Sequence, residues 1–74
     1  MMTKKETRKA LRALELYTGV IEFKHHAVMK THNGYAVRNA CDHDDVMHDY
    51  DAWVYGFGEN YLLDMLQRSG DIAA

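Results

Sequence analysis

The chain reads as a small α+β domain, and three observations carry that reading: an N-terminal capping box that opens an amphipathic helix, a stretch of period two that runs into an Asn-Gly turn, and a return to helical spacing over the C-terminal half. The expected order is α-β-β-α-α, with the helices packed on one face of an antiparallel hairpin. An all-α arrangement is the alternative, because Val20, Phe23, Ala27 and Val28 also fit a period of 3.6.

Thr3-x-x-Glu6 supplies the capping box, in which the threonine oxygen takes a helix N–H and the glutamate reaches back to the cap. The first helix is expected to run to about Thr18, with Gly19 in the left-handed position beyond it. Ala10, Leu11, Leu14, Tyr17 and Thr18 share one face, and Lys4, Lys5, Arg8, Lys9 and Arg12 form a basic stripe on another.

From Val20 to Lys30, Ile21, Phe23, His25, Ala27 and Met29 alternate with Glu22, Lys24, His26, Val28 and Lys30. Asn33-Gly34 marks the turn, and residues 35–40 give the return strand. A three-residue loop, His32-Asn33-Gly34, places Met29 opposite Val37 and Thr31 opposite Tyr35. That register is preferred over a two-residue Asn33-Gly34 loop, which would set Met29 against Arg38. Beyond it, Val46, Met47, Tyr50, Trp53, Val54 and Phe57 suggest a second helix, interrupted by Gly56 and Gly58. A last helix spans about Glu59 to Arg68, with Tyr61, Leu62, Met65 and Leu66 inward and Ser69-Gly70 ending it.

At 74 residues the sequence is expected to form one domain, residues 1–74, near the lower size for a core that folds unaided. Dimerisation would add burial, so a homodimer is an open possibility. No apolar run reaches the roughly 18–20 residues of a membrane span, and no apolar stretch follows the basic Met1–Lys5 start. With a single cysteine, Cys41, a cytoplasmic location is expected, that of the host if the chain is phage-encoded.

Net charge is −2, but it is unevenly distributed. Residues 1–40 carry eight Lys/Arg against three Glu, and residues 41–74 carry eight Asp/Glu against Arg68 alone. Such a split fits either two interaction surfaces of opposite sign or two halves that neutralise each other on packing.

Candidate chemistry is sparse. In the preferred register His25 lies opposite Cys41, with His26 and His43 nearby, a donor set that zinc would accept. No Cys-x-x-Cys or His-x-x-x-His pair accompanies it, and hydrogen-bonded histidines account for the same residues, so no metal or other cofactor is expected. Gly56-x-Gly58 is too short for a phosphate loop. His26, Asn39 and His48 occur in an order and spacing that resemble His-Asn-His endonucleases. That resemblance implies His26 as general base, Asn39 as its orienter and His48 as a metal ligand. The family's next ligand, one helical turn on, falls here on Ala52.

Two surfaces remain. The basic stripe of Lys4, Lys5, Arg8, Lys9 and Arg12 suits nucleic-acid phosphates. Asp42, Asp44, Asp45, Asp49 and Asp51, with Tyr55 beside them, form an acidic helix face that could mimic a row of phosphates and occupy a basic groove on a protein partner. In general profile the chain resembles small phage-encoded inhibitors of host machinery, including anti-restriction and anti-CRISPR proteins. The expected function is therefore non-enzymatic protein binding through the acidic face. A small nucleic-acid-binding regulator is the alternative, and a metal-dependent nuclease the second alternative.

Overall fold

A computed structural model describes residues 1–40 and 53–74. The order is α1 (Lys4–Arg12), β1 (Val20–Glu22), β2 (His26–Thr31), β3 (Gly34–Asn39), β4 (Val54–Phe57) and α2 (Glu59–Arg68). The four strands pair antiparallel in chain order, β1-β2-β3-β4. The fold is α+β, which excludes the all-α alternative, but the described residues form a four-stranded meander rather than a lone hairpin.

The capping box at Thr3 is present in both directions: Glu6 N–H donates to Thr3 Oγ1 at 3.1 Å, and Thr3 N–H donates to Glu6 Oε1 at 2.8 Å. The helix stops at Arg12 with Ala13 as C-cap, not at Thr18. Two contacts fix that end. Lys30 Nζ donates to the Arg12 carbonyl at 2.7 Å, and Tyr17 N–H donates to the Lys30 carbonyl at 2.8 Å, drawing the chain back along the sheet. Tyr17, at φ 64°, takes the left-handed turn expected of Gly19. Leu11 and Thr7 are the buried positions of α1, whereas Tyr17 and Thr18 are exposed.

The alternating stretch from Val20 to Lys30 is two strands, not one. Phe23 N–H donates to the His26 carbonyl at 2.7 Å, closing a tight turn through Lys24 and His25. No glycine, proline or asparagine announces that turn. At the next turn Thr31 pairs with Gly34 and Met29 with Ala36, so the loop is His32-Asn33. Both registers considered from the sequence are off, because the left-handed φ (142°) falls on Gly34 as the first residue of β3. A side chain at Gly34 would run into the Phe57 carbonyl, so the close approach of β4 also selects glycine.

Val54–Phe57 is a strand, which corrects the helix expected to end at Phe57; residues 41–52 of that expected helix lie outside the described residues. Tyr35 pairs with Phe57 and Val37 with Val54, so Tyr55 and Gly56 together face the single residue Ala36. This is a bulge, and Gly56 meets its backbone demand with φ 96°.

The main core lies between the sheet and the two helices. Ile21, Val28 and Val37 align across three strands on the inner face, with Tyr35 and Phe57 in a second row. Leu11 of α1 and Leu62, Leu63 and Leu66 of α2 cover them, together with Ile72. Full burial of each leucine stabilises by roughly 1.5–3 kcal/mol. Tyr61, expected inward, is exposed, and Leu63 holds the inward position instead.

The bounds of α2 match the sequence reading, and so does its ending. Gly70 takes φ 82°. Its N–H bonds to the Gln67 carbonyl while Asp71 N–H bonds to the Leu66 carbonyl, the pair of bonds that defines a Schellman cap.

Candidate functional site

The acidic candidates Asp42, Asp44, Asp45, Asp49 and Asp51 lie outside the described residues, as do Cys41, His43 and His48. Tyr55 is described. It stands on the outer strand β4 rather than on the flank of a helix, and it is exposed.

The basic stripe divides in two. Lys4, Arg8 and Arg12, spaced by four, face the start of α2. Lys4 pairs with Asp64. Glu59 lies 3.3 Å from Arg8 Nε and 2.9 Å from Arg12 Nε, and Arg12 grips both of its carboxylate oxygens. Arg8 also reaches Asn60 at 3.4 Å. The Glu59 hydrogen bonds hold the Arg12 guanidinium above its usual range, and the bond from Lys4 holds the Asp64 carboxyl below its own. Lys5 and Lys9 are exposed. Part of the opposition between the two halves of the chain is therefore satisfied inside the fold.

A second polar cluster sits where the end of α2 meets the β1–β2 turn. The Asp71 side chain is fully buried. It accepts from His25 N–H at 2.5 Å, from His26 Nδ1 at 2.8 Å and from the Ser69 hydroxyl. Burial pushes the Asp71 carboxyl up, but the bonds from Ser69, His26 and His25 outweigh it and leave the carboxyl below the usual aspartate range. A carboxylate can only accept, so His26 donates from Nδ1. The Ser69 hydroxyl points to the carboxylate and not to the imidazole, so the trio lacks the serine-to-histidine contact of a nucleophile and its base.

The His-Asn-His resemblance finds one geometric counterpart, since His26 and Asn39 are directly cross-strand. The hydrogen bond that orients His26, however, is the one it donates to Asp71. His25 is in the turn and exposed, and its carbonyl accepts from Ala40 N–H at 3.0 Å; the Cys41 expected opposite it lies outside the described residues. Among the described residues no three His, Cys, Asp or Glu side chains are grouped closely enough to hold a metal ion.

One surface feature was missed in the sequence. Val54 (58% exposed), Tyr55 (59%) and Tyr61 (61%) rim a shallow concavity of about 300 Å³, with Gly56, Phe57 and Gly58 completing its lining. Phe57 anchors it, packed on the core below and tilted against Tyr61 with ring centroids 5.9 Å apart. The alternation of glycines with aromatic residues at Tyr55-Gly56-Phe57-Gly58 is its signal in the sequence, the same glycines that suggest a helix break. A related contact lies close in sequence, where the Arg38 guanidinium sits 5.1 Å from the centroid of the Trp53 ring.

The chain matches no family model, no curated protein and no solved structure. Among the described residues no helix is long and apolar enough to cross a membrane.

Proposed function

We propose that this chain is a non-enzymatic protein-binding module. It meets a basic surface on its partner through the acidic run Asp42–Asp51 and the aromatic edge that follows it at Tyr55. The observation that carries the reading is a cluster of exposed side chains, Val54 and Tyr55 on the outer strand directly after that run and Tyr61 on the first turn of α2. Exposed tyrosines give a partner large, stiff contact area, and flanking carboxylates give it orientation and a fast encounter.

Charge supports the same choice. Lys4, Arg8 and Arg12 are engaged with α2, which leaves Lys5 and Lys9 as the members of the basic stripe outside those ion pairs. In its specific form the proposal is an inhibitor that occupies the basic groove of a nucleic-acid-handling or defence protein, as a phosphate row would.

The test is a pull-down of tagged protein from nuclease-treated lysate of the source or host cell. An Asp44→Lys, Asp45→Lys, Asp49→Lys variant runs beside it, with mass spectrometry of what is retained. One abundant protein held by the native chain and lost with the variant is the expected result. Retention of DNA or RNA when nuclease is omitted, abolished by Lys5→Ala and Lys9→Ala, would instead establish a nucleic-acid-binding regulator.

A further inference from the structure

We propose that the concavity between β4 and the first turn of α2 receives an arginine side chain of the partner, its guanidinium lying against the rings of Tyr55 and Tyr61. This rests on the protein-binding reading and names the chemistry of the contact.

Three features select the occupant. The lining of Val54, Tyr55, Gly56, Phe57, Gly58 and Tyr61 is aromatic and glycine-rich and contains no charged side chain. In the sequence no lysine or arginine falls between Arg38 and Arg68, and Asp49 and Asp51 precede the lining residues; Glu59 and Asp64, which follow Gly58, are paired with Arg8, Arg12 and Lys4. The concavity therefore offers π-faces with no charged side chain in its own lining. A guanidinium is planar and weakly hydrated and stacks on such faces more readily than an ammonium, which keeps its water.

The floor is shaped to admit a flat group. A Cβ added at Gly56 or Gly58 meets nothing within 4 Å, so both glycines open onto vacant space and present bare backbone to it. Among the described residues no strand pairs with the far side of β4. The bulge at Tyr55-Gly56 breaks the regular ladder there, which disfavours a fifth strand and favours recognition by a side chain.

Gly58 also supplies the test. Its φ of −76° is ordinary for any residue, so Gly58→Leu fills the concavity without straining the chain or removing an atom from the core. Isotope-labelled full-length protein is titrated with the peptide acetyl-Gly-Arg-Gly-Arg-Gly-amide and with its lysine counterpart, and backbone amide shifts are followed. The expected result is movement at Tyr55, Gly56, Gly58 and Tyr61 with the arginine peptide. Binding should be about two- to fivefold weaker for lysine and lost in a folded Gly58→Leu protein. Equal shifts for both peptides, confined to residues 42–51, would overturn the arginine site and leave the acidic-run reading intact. No shift at either place would count against both. Movement of the same four amides with protein concentration alone would overturn the proposal in favour of a second copy of this chain.

Discussion

The two ends of α2 are built in opposite ways. At its C-terminus the chain is closed: Gly70 turns it, Asp71 is buried under three donors, and Ile72 caps the core. At its N-terminus Gly58 occupies the cap position without a side-chain hydrogen bond, and the neighbouring Val54, Tyr55 and Tyr61 stand in solvent. One helix thus joins a region whose buried side-chain polar atoms are all hydrogen-bonded to a region of exposed apolar surface. The closed end stabilises the fold, and the open end is the one proposed above to meet the partner. Changes at the first should cost stability, whereas changes at the second should alter binding and leave stability nearly unchanged.

The largest effect is expected at Asp71. Asp71→Ala leaves His25 N–H and His26 Nδ1 without their acceptor and the Ser69 hydroxyl with the Leu66 carbonyl alone, and a loss of about 2–4 kcal/mol follows. Urea denaturation reads it directly. A loss below about 0.5 kcal/mol would mean that solvent reaches the cluster and that the closed end is not closed. The same residue sets a pH dependence. Its carboxyl in the folded state lies below the ordinary range, so its contribution is complete above the unfolded value near pH 4 and disappears as pH falls through the folded value. Native stability should therefore fall with acid below about pH 4, and Asp71→Asn should flatten that fall.

Gly34→Ala comes next. The substitution meets both a φ of 142° and the carbonyl of Phe57, and about 1–3 kcal/mol of destabilisation is expected. Because the conflict is with β4, hydrogen exchange should rise first at the amides of Val54 to Phe57. Uniform acceleration over β2 and β3 instead would show that β4 is not a separable edge.

These two sites also mark what was legible in the sequence. Elements whose signal is local came through: the Thr3–Glu6 box, the bounds of α2, and the Ser69-Gly70 end all follow from residues within a few positions of one another. Elements decided by partners distant in sequence did not. The turn at Lys24-His25 carries no turn residue, and it is held partly by Asp71, 46 positions from His25. Gly34 was recognised as a turn glycine, but the register depended on Phe57, which no local pattern links to it. The spacing of Trp53 to Phe57 suggests a helix, although aromatic and β-branched residues beside Gly56 fit a bulged edge strand at least as well. For the candidate site, Tyr55 was read as exposed, and it is. Its neighbour Tyr61 fits the apolar side of the helical wheel, but the wheel alone does not say on which side the sheet lies, and Tyr61 is exposed.

Glu59 tests the junction between the two ends. It draws Arg8 and Arg12 of α1 onto α2, but the arginines are substantially exposed and water screens the pairs. Glu59→Gln should cost less than about 1 kcal/mol, and the cost should shrink in high salt. Its more visible effect is electrostatic. Releasing two guanidiniums should raise retention on a heparin column, while a chain whose N-terminal cations already engage phosphate would show no change.

The smallest effect has the opposite sign. Gly58 already holds the extended backbone of an N-cap, and a serine there could accept from an N–H of the first turn of α2. Gly58→Ser should therefore stabilise the protein by roughly a few tenths of a kcal/mol, raising the melting temperature by about 1–2 °C. A gain from so simple a change shows that this position is not optimised for the fold. Comparison with Gly58→Leu then separates two reasons for the glycine. If both variants melt at or above the native temperature and only leucine abolishes partner capture, the glycine serves the opening beside it. If both melt lower, the bare backbone at Gly58 belongs to the fold, and the open end of α2 is as structural as the closed one.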